Sequence, residues 1–160
     1  MNVRPAKAGD LVNIQACNMQ NLPENYSMRF WLYCALTWPQ VSFVAEDHKG
    51  RIIGYVLSSI EGGGADDVPL YGHVNSLSVL RPHRRRGLAK RLMELSYEAM
   101  RTVYSAVYVE LHVRVSNAGA IALYTKALGF STVKVDKKYY GDGENAYIMR
   151  RKLKSSKRDR

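Results

Sequence analysis

The chain reads as a single α/β domain, a mixed β-sheet flanked by about four helices. Three observations predict this. The 160 residues are 46% hydrophobic, which is enough chain and enough apolar surface for one sizeable core. Alternating apolar stretches and stretches at three- and four-residue apolar spacing follow one another roughly as β-α-α-β-β-β-α-β-α-β-β, without an internal repeat. Finally, Val74–Met93 reads as a strand, a tight basic turn with one glycine, and a helix. Val74, Leu77, Val79 and Leu80 are strand-like, while Leu88, Leu92, Leu95 and Ala99 recur at helical spacing.

Each element has its own signal. Asn2–Pro5 is a short strand. Leu11, Ile14, Cys17 and Met19 give an amphipathic helix over Ala8–Gln20. Pro23 interrupts it within Asn21–Tyr26. Ser27 is the N-cap of a second helix that runs to Thr37, and Pro39 closes that segment. Val41–Glu46 and Arg51–Ser59 form a hairpin around Asp47-His-Lys-Gly50. Glu61–Asp67 is a glycine-rich loop, expected to be flexible. Gly72–Leu80 is the central strand and Arg85–Tyr104 the long helix after it. Strand Val107–Val113, helix Ala118–Leu128, strand Phe130–Asp136, a turn at Tyr139–Glu144 and strand Ala146–Leu153 complete the domain. The domain is expected over 1–153, with 154–160 as a frayed basic tail.

The formal charge is +10, and it is concentrated. Residues 81–91 carry six Arg or Lys and no acid; residues 150–160 carry seven and one acid. The remainder is close to neutral, so the chain is a near-neutral domain with two basic patches. Cys17 and Cys34 lie too far apart to suggest a disulfide framework, which fits a reducing compartment. Met1-Asn-Val-Arg-Pro5 does not have the form of a signal peptide, and no apolar run is long enough to span a bilayer. A location in the cytoplasm or nucleus is expected, with no membrane partner. Neither cysteine has a partner at metal-ligand spacing and the four histidines do not cluster in sequence, so no metal is expected.

The basic turn has a physical use. A helix that starts there presents unpaired N–H groups and the positive end of its dipole to a phosphate-bearing ligand. Backbone amides from Arg85, Arg86, Gly87, Leu88, Ala89 and Lys90 are placed to cradle a pyrophosphate, with Arg84 adding positive field. Gly87 removes a Cβ where the phosphate approaches. Read alone, this stretch is equally a solvated helix start or a nucleic-acid patch.

Further residues narrow the choice. Arg84-x-x-Gly87-x-Ala89 after a strand resembles the acetyl-CoA signature of the GNAT acetyltransferases. Asn117, Ala122-Leu-Tyr124 and Leu128-Gly-Phe130 resemble the second half of that pattern, in the right order. Leu22-Pro-Glu-Asn-Tyr26, Leu111-His-Val-Arg114 and Tyr139-Tyr-Gly-Asp-Gly-Glu-Asn-Ala-Tyr147 are similar to the catalytic subunits of the N-terminal acetyltransferase A complex. The resemblance spans roughly residues 1–153. It implies a single GNAT domain that uses acetyl-CoA to acetylate the α-amine of nascent or mature polypeptides. It also implies a helical-repeat auxiliary subunit along the first two helices, with small N-terminal residues acetylated in the complex and acidic ones by the free subunit. Trp31, Tyr33, Leu36 and Trp38 are candidates for that docking face, or for the core.

The resemblance also distributes roles. Leu77, Ser78 and Val79 hold the pantetheine arm by strand-like hydrogen bonds, and Asn117 contacts the cofactor. Tyr124 hydrogen-bonds or protonates the departing thiolate. Glu24 positions substrate or, through a water, takes a proton from the incoming ammonium, and His112 shares that water. Leu22, Tyr26, His73, Arg114, Tyr139 and Tyr140 line the peptide site, where the phenols reach peptide carbonyls. The amine attacks the thioester directly in a ternary complex, with an oxyanion donor from a strand amide near Val79. Two other readings use the same residues: a lysine side-chain acetyltransferase with a wider groove, and a basic ribosome- or RNA-binding module.

Overall fold

The computed structural model describes residues 1–21, 27–64 and 67–154, and at 18–21 the backbone alone. Seven strands form one sheet: β1 Asn2–Pro5, β2 Phe43–Glu46, β3 Ile52–Glu61, β4 Tyr71–Val79, β5 Tyr108–Arg114, β6 Ser131–Asp136 and β7 Ala146–Lys152. Their order is β1-β2-β3-β4-β5-β7-β6. Every neighbouring pair is antiparallel except β4 and β5. A parallel pair needs a crossover, and the helix α3 (Leu88–Tyr104) supplies it.

The helices cover the sheet from both sides. α3 turns Leu88, Leu92, Met93, Tyr97 and Met100 into a core with Val56, Val74, Val79 and Val109. Gly72 makes that approach possible: a Cβ there would lie 2.0 Å from Met100 Sδ. Ser96 Oγ donates to Val41 O at 2.7 Å and meets Ser58 Oγ at 2.8 Å, so the polar atoms under α3 are paired. On the other face α1 (Leu11–Asn21) and α2 (Met28–Thr37) bury Leu11, Ile14, Cys17, Trp31 and Cys34 against Val44, Tyr55 and Leu57. Ser27 caps α2, its Oγ accepting from Phe30 N–H at 3.2 Å. Each large side chain buried here contributes about 1.5–3 kcal/mol.

The predicted architecture is borne out, and the departures lie at element ends. α3 begins at Leu88 rather than Arg85, because Gly87 with φ +75 is its N-cap and Arg85 is also left-handed at φ +64. The fourth helix, α4 (Ala118–Ala122), runs on as a π-helical turn over Leu123–Ala127 instead of staying α-helical to Leu128. Ala8–Asp10 is a 3₁₀ turn ahead of α1, and β3 continues past Ser59 to pair Glu61 with Tyr71. The loop positions 65–66 and the tail positions 155–160 lie outside the described residues.

One irregularity positions everything that follows. Along the β3–β4 ladder Leu57 pairs with Ser76 and Ser58 with Val74, which leaves Asn75 as an extra residue on β4. Bulges bend and twist the strand that carries them. At the same level the parallel β4–β5 ladder, Gly72–Val74 against Val109–Leu111, comes to its end.

Candidate active site

The cleft of about 720 Å³ beside the end of β4 is lined by Leu77, Ser78 and Val79 of β4, the basic turn, the first turn of α3, and α4 with its π-helical turn. The turn is pinned at its base, with Arg84 Nε donating to Val79 O at 2.8 Å. The first bond in helical register runs from Arg91 N–H to Gly87 O. The N–H groups of Leu88, Ala89 and Lys90 precede it and have no intrahelical acceptor. Together with the dipole they make an anion cradle, and the space beside Gly87 Cα is open, with no atom other than those of its chain neighbours within 4 Å of where a Cβ would stand. Asn117 forms the far wall and caps α4, its Oδ1 accepting from Ala120 N–H at 3.1 Å. Tyr124 lies on the π-helical turn, its ring 5.8 Å from that of Phe130. π-Helical turns concentrate at functional sites. Burial pushes the Tyr124 phenol up to about 12, so it keeps its proton at any physiological pH.

Where the β4–β5 ladder ends, on the α1–α2 side of the sheet, stands a second group. His73 faces Glu110 across the ladder, and His112 is the next residue on the same face of β5. Their rings are 5.5 Å apart, with His73 Nε2 to His112 Nδ1 at 3.3 Å. Tyr139 stacks on His112 at 4.2 Å and nearly parallel, and Tyr140 meets Tyr139 edge-on. Asp136 Oδ2 lies 3.7 Å from His112 Nε2. Burial and the neighbouring His73 hold the His112 pKa below that of a free imidazole, with Asp136 and Glu110 opposing. Burial, and then Asp136, raise that of Tyr139. Arg114 stacks over Tyr140 at 4.1 Å and pairs with Asp142 at 2.8 Å and Glu144 at 3.4 Å. It thereby ties the aromatic loop to β5.

Of the cofactor residues expected from sequence, all but Arg86 line the cleft; Arg86 is exposed beside it. His73, His112, Arg114, Tyr139 and Tyr140 come together as expected. Leu22, Glu24 and Tyr26 lie outside the described residues. The four histidines are scattered in sequence, but β4 and β5 bring two of them, His73 and His112, together from 39 positions apart. Among the described residues no group of three or more metal-ligating side chains forms. The docking candidates divide: Trp31 is core, Tyr33 and Leu36 are exposed, and Trp38 is half-buried against Tyr33. Sequence reasoning missed His83, Gly119, Ala120, Leu123 and Ala127 in the cleft, and Ser59, Asn75 and Asp136 near the histidines. Only Asn75 left a signal, two residues from His73 and so on the same strand face.

Residues 10–130 match the family model of the acetyltransferase (GNAT) family. The chain is 49% identical over 159 residues to the N-terminal acetyltransferase A complex catalytic subunit ard1 of Schizosaccharomyces pombe, covering 99% of this chain and 89% of the relative. It is 51% identical to the corresponding subunit NAA10 of Arabidopsis thaliana, over 95% of this chain and 78% of that one. Among solved structures, Chaetomium thermophilum Naa20 in complex with a bisubstrate analogue superposes with a TM-score of 0.85 at 34% identity, over 96% of this chain and 87% of that chain. An anion cradle at a helix start, a strand end beside it and a protonated phenol in the wall of the same cleft are what an acyl-CoA donor requires, and sequence kinship over nearly the whole length agrees: the chain belongs to the GNAT acetyltransferase family, among its N-terminal acetyltransferase catalytic subunits.

Proposed function

We propose that the protein transfers the acetyl group of acetyl-CoA to the free α-amine of a polypeptide. The observation that carries this reading is the placement of two different sites on either side of the β4–β5 split. The anion cradle and open strand end of the cofactor cleft lie on one side, and the half-buried histidine–tyrosine group lies on the other. The pyrophosphate rests on the N–H groups of Leu88, Ala89 and Lys90, and the pantetheine arm runs along Leu77–Val79. The acceptor amine enters between the histidines and Tyr139. An α-amine near pKa 8 needs to lose only one proton to become a nucleophile at neutral pH, and His112, held as free base, is the described residue placed to take it. Tyr124 assists the leaving sulfur. A phenol near 12 yields its proton to a thiolate of ordinary basicity, about 8.5, only against a gradient of several powers of ten. Tyr124 therefore acts as a hydrogen-bond donor to the developing thiolate, not as a full proton donor.

Glu24, Leu22 and Tyr26 complete the acceptor side in this reading, with small first residues favoured in a complex. The exposed Leu32, Tyr33 and Leu36 on α2 form an apolar strip for an auxiliary subunit of helical-repeat type. The basic 150–160 segment suits ribosomal RNA, and the expected compartment is the cytoplasm.

The test uses acetyl-CoA and three peptides: a free serine terminus, the same peptide with its terminus blocked, and a blocked peptide with an internal lysine. Release of CoA with the first alone is the expected result. Labelling of the internal lysine alone would establish the side-chain reading instead.

A further inference from the structure

The histidine pair belongs to a longer hydrogen-bonded row whose order of protons is fixed at one end. Asn75 Nδ2 donates to Ser59 Oγ at 2.9 Å, which leaves Asn75 Oδ1 to face His73 Nδ1 at 2.9 Å. An amide oxygen only accepts, so His73 Nδ1 carries the hydrogen. A neutral imidazole has one N–H, so His73 Nε2 presents a lone pair. His112 Nδ1, 3.3 Å away, must then donate to it. The lone pair of neutral His112 is thereby left on Nε2, facing the Asp136 carboxylate at 3.7 Å. That spacing is longer than an ordinary hydrogen bond and leaves Nε2 open to take up a proton.

We infer that Asn75 and Asp136 are positioning residues that direct proton uptake to Nε2 of His112. The inference rests on the reading that the groove holds an α-amine. In the step, one N–H bond of the ammonium breaks, its electron pair remains on nitrogen as the nucleophile, and an N–H bond forms at His112 Nε2. The resulting imidazolium donates to His73 through Nδ1 and to Asp136 through Nε2, so both of its hydrogens are accepted. Asp136 is partly exposed, which gives the proton a way to solvent. Among the described residues, the groups around His112 are His73 from β4, Asp136 from β6, Glu110 on its own strand, Tyr139 stacked on its ring, and Ile148 opposite it in β7. The bulge leaves Asn75 without a register partner on β3, and its amide bridges His73 and Ser59.

Imidazole nitrogen shifts of the ¹⁵N-labelled full chain read the tautomers without substrate. In the wild-type chain above the His112 titration, Nδ1 is expected to carry the proton and Nε2 to be bare. Asn75→Leu should mix the tautomers and lower kcat about tenfold, with the KM for acetyl-CoA unchanged. Asn75→Asp keeps an acceptor facing His73, so it should restore the tautomer and kcat, and its negative charge should move the acid limb of kcat upward in pH. A proton on Nε2 of neutral wild-type His112, or unchanged tautomers and kcat in Asn75→Leu, would overturn the inference. A wild-type chain that acetylates no free α-amine would overturn the functional reading, and it is told apart because the nitrogen shifts stand without turnover.

Discussion

Tyr124 and His112 are both driven toward their neutral forms by burial, with opposite consequences for chemistry. The phenol gains a firmer hold on its proton and the imidazole a weaker one. Tyr124→Phe removes the hydroxyl and keeps the ring against Phe130, so the fold should be unaffected. Expected is a fall in kcat of about 10²-fold with the KM for acetyl-CoA little changed. An unaltered kcat would remove Tyr124 from the chemistry. For His112 the sign runs the other way from a stabilised imidazolium. Its pKa lies below that of the free side chain, so the base form persists as pH falls through 6.5. With peptide saturating, kcat should therefore hold through 6.5 and drop only below it. A limb at or above 6.5 in the wild-type profile would show that another group is the base.

At the scale of elements, the site depends on where two regular structures stop. The strand-turn-helix of 74–93 was legible because one glycine separates period-two from helical spacing. The helix start itself was misplaced by three residues. Arg85 and Gly87 are both left-handed, and nothing in the run Arg84-Arg-Arg-Gly87 marks Arg85 as such. Gly87 is needed either for its backbone or for the ligand, and one substitution separates these. Asparagine tolerates φ near +75 better than most side chains, and no protein atom crowds the position. Gly87→Asn should therefore leave thermal stability within about 0.5 kcal/mol. Its side chain should still stand where the phosphate approaches, raising the KM for acetyl-CoA about tenfold and leaving the KM for peptide alone. A loss of stability without that KM change would assign the glycine to the backbone only.

The whole molecule is a sheet held from both sides but left open along one seam. Its fold class was readable because the buried faces of the central strands meet helices of matching period, as with Leu92, Met93 and Met100 over Gly72 and Val74. The seam was not readable, because it arises from an unpaired register: the bulge at Asn75 and the end of the parallel ladder depend on pairings between distant strands. The same is true of the meeting of His73 with His112. The cofactor is expected to close that seam, touching β4, the start of α3 and the π-helical turn at once. Binding that spans three elements stabilises the folded state by mass action, about 2.7 kcal/mol at a hundredfold excess over Kd. For a domain of this size that corresponds to about 5–10 °C in Tm. Acetyl-CoA should produce this shift, and above Kd it should keep growing with the logarithm of the concentration. Because the cradle is built from backbone N–H groups and a helix dipole, Tyr124→Phe should show the full shift and Gly87→Asn a reduced one at equal cofactor concentration. Equal shifts in both variants would place the phosphates somewhere other than the turn before α3.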